Sequence, residues 1–195
     1  MRSNQFSVSM VLFVTVMLML VGCGGDSAKD ESGPQTIVFD SGHGSDPLNK
    51  MTYWKYQSEI LFTPEANMSV SSIKPAMWYC SGICGYTATI QDESHGYLAS
   101  QSGSIAGNNT EDVQLPIQYL DSVVQMNTGT TYRIILEAWT TKSVGIYTTG
   151  DRTTGISGQA HYSVEYARSI VDAENHTVDM IDRGSISFQL LNKKE

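Results

Sequence analysis

The three cysteines are the residues of this 195-residue chain whose type and spacing point most directly to chemistry. Cys23 ends a segment with the features of a secretory signal: Arg2 gives a positive start, an apolar run covers 8–21, and small residues flank the cysteine. Cys80 and Cys84 lie four positions apart in the middle of the chain. A cysteine can carry a lipid, form a disulfide or bind a metal, and its surroundings decide which.

Cys23 lies at the expected signal-peptide cleavage site. This placement resembles a bacterial lipoprotein lipobox, whose cysteine receives the lipid and becomes the first residue of the mature protein. The resemblance implies a signal peptide over 1–22 and lipidation at Cys23. A transmembrane helix is the alternative, but the apolar run has only about 14 of the roughly 20 residues needed. Gly24 rather than Asp follows the cysteine, which resembles the pattern of outer-membrane lipoproteins. The segment 23–35 is rich in Gly, Ser and charge, which predicts a flexible tether.

Cys80 and Cys84 are the only cysteine pair left once Cys23 is acylated, and export places them in an oxidising compartment. Zinc is the competing interpretation of the C-x-x-x-C spacing, but no second cysteine or cysteine–histidine pair is present to complete a site. We therefore predict a disulfide that closes the loop 81–83. The loop would either be structural or present a binding surface.

Aromatic residues are the candidates for ligand binding, because aromatic rings can stack on the faces of sugar rings. We single out Trp54, Trp78 and Tyr79, which lie before predicted strands or beside the cysteine loop. The alternative is that the tryptophans fill the core, as aromatic residues in strands commonly do. For Trp139, whose neighbours are apolar, we predict a core position.

The residues 36–47, TIVFDSGHGSDP, resemble the opening of zinc-dependent N-acetylmuramoyl-L-alanine amidases, in which a hydrophobic strand runs into D-x-G-H-G. That resemblance implies His43 and Glu59 as zinc ligands, His95 or His161 as a third, and a water activated by the metal. It also requires a layer of helices, yet 51–62 is strand-like and no amphipathic helices follow. The other interpretation is a strand that ends in an Asp/Gly turn. We predict no catalytic residue and keep the amidase as the alternative.

Paired carboxylates could hold a structural calcium ion in the loops, since calcium prefers oxygen ligands. The pairs are Asp40 with Asp46, Asp92 with Glu93, and Asp179 with Asp182. None has the spacing of a known calcium loop, so no motif supports a cofactor, and solvated turns are the default expectation.

The formal net charge of −8 argues against nucleic acid as a partner, because an acidic surface repels phosphate. No polybasic patch is present, so we expect membrane contact through the lipid alone. Charged residues make up only 16% of the chain, a composition of polar strands and loops rather than of solvated helices.

Apolar and polar residues alternate through most of the chain after the tether, which predicts strands buried on one face. Alternation is clear in 86–91, 112–119, 162–166 and 185–190, whereas 132–139 is more uniformly apolar and predicts a central strand. Turn residues separate these runs, as in 92–96 and 127–129. We predict one all-β antiparallel sandwich over 36–195.

A series of short motifs in 55–150 is similar to the jelly-roll modules appended to bacterial surface proteins and glycan-processing enzymes, including the family of unknown function labelled DUF4082. The motifs are FTP at 62–64, VSSI at 70–73, TATIQD at 87–92, GYLAS at 96–100, VQLPI at 113–117 and TGTTYRI at 128–134. The resemblance implies a carbohydrate-binding-like jelly roll. We expect a non-catalytic envelope protein that binds a glycan or a protein, or that has a purely structural role.

Overall fold

The computed structural model describes residues 34–42, 50–106, 118–149, 159–170, 177–179 and 184–193. Within these ranges the regular structure consists of strands, as the alternating sequence predicts. The strands are β1 (Gln35–Asp40), β2 (Lys50–Pro64), β3 (Met68–Pro75), β4 (Met77–Ser81), β5 (Ile83–Asp92), β6 (Tyr97–Ala106), β7 (Gln118–Met126), β8 (Tyr132–Tyr147), β9 (Ala160–Ile170), β10 (Thr177–Asp179) and β11 (Phe188–Lys193).

Two antiparallel sheets pack against each other, which confirms the predicted all-β sandwich. The smaller sheet has the order β1-β11-β3-β7, and the larger has the order β10-β9-β2-β8-β5-β6, with β4 also paired to β8. When β4, β9 and β10 are set aside, eight strands remain. Their orders, first-eighth-third-sixth and second-seventh-fourth-fifth, are those of a jelly roll.

The core lies between the two sheets because alternate residues of each strand point inward. On β2, Tyr56, Ile60 and Phe62 are fully buried. Phe39 of β1 packs edge-on against Phe62, with ring centroids 4.9 Å apart. The ring centroids of Phe188, on β11, and Phe39 are 5.5 Å apart, so one aromatic cluster joins the two sheets.

The strand β8 lies at the centre of the larger sheet, between β2 and β5, as the apolar composition of 132–139 predicts. Its inward residues Ile134, Leu136 and Ala138 are buried. The predicted turn before it is also present: Thr130 N donates to Asn127 O at 3.1 Å, and Gly129 has a φ of 72°, which favours glycine.

The segment 184–187 is buried on both sides, unlike the half-exposed strand that its alternating sequence predicts. Ser185 shares a hydrogen bond of 3.0 Å with Ser58 of β2, and Ser187 N donates to Tyr147 O at 2.7 Å. These bonds satisfy the Ser185 hydroxyl and the Ser187 backbone N–H, whereas the buried Ser187 hydroxyl has no hydrogen-bond partner among the described residues. Because serine is small, Ser185 and Ser187 fit in the interior beside the predicted apolar positions.

The chain divides into two units, Met1–Ser32 and Gly33–Glu195, and the sandwich belongs to the second. The predicted signal peptide, Cys23 and most of the predicted tether lie outside the described residues. The first strand, β1, begins at Gln35, close to the predicted start of the sandwich.

Candidate functional site

The outer face of the larger sheet carries an exposed tryptophan on its central strand, β8. Lys55 of β2, Trp139 of β8 and Gly85 of β5 are direct cross-strand neighbours. Glu137, two positions before Trp139, occupies the same outer face and is paired in register with Thr87 of β5. We call these five residues the Trp139 face.

The prediction that Trp139 belongs to the core is wrong, since 39% of its surface is exposed. Alternation along β8 is the reason: Ile134, Leu136 and Ala138 point inward, so the odd-numbered Trp139 points outward. Its apolar sequence neighbours fill the interior without it.

Gly85 provides the space in which the indole lies. A Cβ atom built at Gly85 would overlap the indole atoms Cε2, Cζ2 and Nε1. The ring therefore covers the backbone of β5 at a position where any larger residue would displace it. A flat apolar ring is left with part of its surface open to solvent.

Charged groups beside Trp139 neutralise each other. The Lys55 Nζ lies 3.7 Å from Glu137 Oε1, and both side chains are partly exposed. The hydroxyl of Thr87 is 3.0 Å from that of Ser102 on β6. The ring is therefore bordered by donors and acceptors without a dominant charge.

The predicted ligand-binding residues Trp54, Trp78 and Tyr79 lie on β2 and β4, two strands that pair with β8. Trp54 is 38% exposed and precedes Lys55 on β2. Opposite it the register of β8 jumps from Trp139 to Val144, so 140–143 form a bulge. Trp78 and Tyr79 lie on β4, which pairs with the following part of β8, but their side chains are outside the described set.

The predicted disulfide between Cys80 and Cys84 is present, and it connects β4 to β5 where both strands pair with β8. Both cysteines are fully buried. Thr140 Oγ1 lies 3.0 Å from the carbonyl oxygens of Ser81 and Ile83. The loop is thus fixed to β8, and Ile83, two positions before Gly85 on β5, is 63% exposed.

Of the residues named for the amidase alternative, Glu59 forms an ion pair with Arg133 of β8. His161 of β9 lies 2.9 Å from Glu65, and His95 occupies the hairpin between β5 and β6 with a φ of 69°. His43 lies outside the described residues. Within the described ranges, no group of three His, Cys, Asp or Glu side chains could hold a metal, and no helical layer is present.

The motif around Asp40 forms a turn in the part that the structure describes. Asp40 Oδ1 accepts a hydrogen bond of 2.8 Å from Gly42 N, and its Oδ2 accepts one of 2.7 Å from Gln189 Nε2. Gly42 has a φ of 76°. These contacts agree with the interpretation of a strand that ends in an Asp/Gly turn.

The carboxylates considered for calcium fall partly outside the described residues, which exclude Asp46 and Asp182. Asp92 binds its own hairpin: its Oδ1 accepts hydrogen bonds of 2.7 Å from Ser94 Oγ and from Gly96 N. The Ser94 hydroxyl is the main reason that the pKa of Asp92 is lowered from its usual value, and the Gly96 amide adds to the effect.

A second aromatic residue, Tyr166 of β9, lies on the same outer face, paired in register with Glu59. Burial raises the pKa of its phenol, and the carboxylates of Glu59 and Glu137 raise it further, whereas Arg168 lowers it. The Arg168 guanidinium lies 5.3 Å from the centre of the Tyr166 ring. Tyr166 therefore keeps its proton and can donate a hydrogen bond at neutral pH.

Comparison with known proteins adds no family: no protein-family model matches the chain, and no curated protein matches it. In the part of the chain that the structure covers, no helix has the length and apolar character needed to cross a membrane.

The alternation in the sequence is enough to place Trp139 on the outer face, but the apolar neighbours of Trp139 favour a core position. Strict alternation along 132–139 places Trp139 opposite to Ile134 and Leu136, and Gly85 has the same parity as Thr87 on the outer side of β5. Only the cross-strand register shows that Gly85 lies beside Trp139. That register joins residues more than fifty positions apart and could not be assigned from local pattern.

Proposed function

We propose that this chain is a lipid-anchored, non-catalytic binding module of a bacterial cell envelope, and that its ligand is a glycan. The residues around Cys23 support the anchor, and Gly24 supports delivery to the outer membrane. The sandwich would serve as a rigid scaffold whose outer face is presented to the ligand.

The observation that carries the glycan part of the proposal is the exposed indole of Trp139 over Gly85. The part-exposed indole offers a flat apolar surface, and a sugar ring offers an apolar face of matching size. The nearby exposed Trp54 and Ile83 enlarge the apolar surface at this end of the sheet.

The proposal is tested by co-sedimentation with deproteinised envelope glycans, namely purified sacculi and isolated surface polysaccharide. The full-length lipoprotein is kept in a polyoxyethylene detergent, which carries no sugar headgroup. We expect the wild type to sediment with at least one preparation and Trp139→Ala to remain in the supernatant. Val123→Ala, on the other sheet, is the matched control because its side chain is 56% exposed.

Retention by none of the glycan preparations would overturn the proposal and favour a protein ligand or a purely structural role. Soluble fragments are measured in the same tubes with added zinc. Release that His43→Ala abolishes would also overturn the proposal, in favour of the amidase alternative.

A further inference from the structure

The Trp139 face has the properties of a subsite for one particular chemical class of glycan. The indole covers Gly85 on one side and is 39% exposed on the other. A ring supported by backbone is fixed in orientation, so it loses little side-chain entropy when a ligand stacks on it. Such a surface fits the C–H-rich face of a pyranose ring.

The border of the face is suited to hydroxyl groups. Lys55 offers donors, Glu137 offers acceptors, and the Thr87 hydroxyl offers both. Because a sugar hydroxyl also donates and accepts, each of these side chains can bond to a hydroxyl of a sugar that stacks on the ring. Hydrogen bonds from Lys55, Glu137 and Thr87 would thus orient the sugar, while the Trp139 ring would provide most of the contact area.

The charge of the face argues for a neutral sugar. Lys55, the cation nearest to Trp139 in register, lies 3.7 Å from Glu137, so its charge is already balanced. An anionic sugar would have to compete with Glu137 for that ammonium group and approach a chain whose formal net charge is −8.

We propose that the Trp139 face binds an uncharged pyranose unit of a polysaccharide, stacked on Trp139, with Lys55 and Glu137 hydrogen-bonding its hydroxyls. This inference rests on the proposed function and specifies the ligand class of the same site.

The test is a titration of the detergent-solubilised full chain with two sets of soluble polysaccharides. The neutral set contains a β-glucan, a mannan and a xylan, and the anionic set contains polygalacturonate and hyaluronate. Tryptophan emission and mobility in polysaccharide-containing gels report binding. We expect saturable binding to at least one neutral polysaccharide, weakened about tenfold or more by Trp139→Ala.

The variant Gly85→Ala tests whether binding depends on the position of the Trp139 indole as well as on its presence. The added methyl group must displace the indole, so we expect weaker binding although Trp139 is retained. Val123→Ala should bind as the wild type does. Thermal unfolding of each variant identifies a loss that is due to misfolding, and Trp139→Ala is decisive if Gly85→Ala fails to fold.

Binding to the anionic set alone would overturn the inference and leave the proposed function intact, provided that this binding depends on Trp139. Neutral binding that Trp139→Ala leaves unchanged would overturn the assignment of the site. Binding to neither set, together with Trp139-dependent retention by sacculi or surface polysaccharide, would show that the ligand class is wrong while a glycan is still bound.

Discussion

At the scale of single residues, Asp92 closes the hairpin between β5 and β6 through its side chain. It accepts from Ser94 Oγ and Gly96 N, and its own backbone N donates to Gly96 O at 2.9 Å. Hydrogen bonds to the ionised carboxylate explain why the pKa of Asp92 is lowered. His95 adopts its positive φ inside this closed turn.

The lowered pKa of Asp92 predicts a pH-dependent contribution to stability. A group with a lower pKa in the folded state stabilises the protein above its unfolded pKa, about 3.8, and loses that effect as the pH falls through the folded value. We expect Asp92→Asn to lower the Tm at pH 7 and the difference from wild type to shrink below pH 3.8. Thermal unfolding from pH 7 to 2.5 measures this.

Glu93→Gln is the matched control, because it removes a neighbouring charge and leaves the hydrogen bonds of Asp92 in place. A Tm difference for Asp92→Asn that stays constant across the pH range would contradict the assignment. So would an equal, pH-dependent effect of Glu93→Gln.

At the scale of strands, alternation predicted well where a strand runs without irregularity. Tyr86, Ala88 and Ile90 are all buried, as their spacing in β5 predicts. In β9 strict alternation predicts that Tyr162, Val164 and Tyr166 all point inward. Tyr162 and Val164 are buried, but Tyr166 is only partly buried, so for Tyr166 the prediction is wrong.

The reason is a β-bulge. The register between β2 and β9 shifts between Glu59 and Ile60, so Tyr166 faces Glu59 on the outer side while Val164 faces Ile60. A bulge adds one residue to one strand and reverses the faces that follow it. Nothing in the local sequence of 160–170 marks this point, because the bulge depends on the pairing of two distant strands.

The disulfide between Cys80 and Cys84 acts at the scale of these strands, since it connects β4 and β5 beside β8. The loop that it closes is short, so the chain-entropy model gives about 2 kcal/mol of stabilisation. We expect the double variant Cys80→Ser, Cys84→Ser to lose about 2 kcal/mol of unfolding free energy, and so to unfold at a lower denaturant concentration, and to keep the sandwich.

Denaturant titration followed by circular dichroism measures this loss, and the chemically reduced wild type should match the double variant. Complete loss of β structure in either sample would contradict the expectation, because it would mean that the disulfide determines the fold. An unchanged denaturation midpoint would also contradict the expectation, because it would mean that the disulfide does not stabilise the sandwich.

At the scale of the whole molecule, a jelly roll needs no disulfide or metal to define its topology. Among the described strands, all except β4 and those at the sheet edges have at least two hydrogen-bonded neighbours, and most of those neighbours are distant in sequence. Composition and alternation were therefore sufficient to predict an all-β sandwich. They could not predict where β9 and β10 pair, which is beside β2 at the edge of the larger sheet.

The last prediction concerns the attachment of this sandwich to a membrane. The formal net charge of −8 gives no electrostatic attraction to anionic lipids, so stable attachment requires acyl chains. In a bacterial host grown with labelled palmitate, we expect the wild type to incorporate label and Cys23→Ser to incorporate none. The double variant Cys80→Ser, Cys84→Ser is the control, because it lacks the other two cysteines but keeps Cys23 and should be labelled as the wild type is. Label that persists in Cys23→Ser would refute lipidation at this position, and with it the anchor on which the proposed function depends.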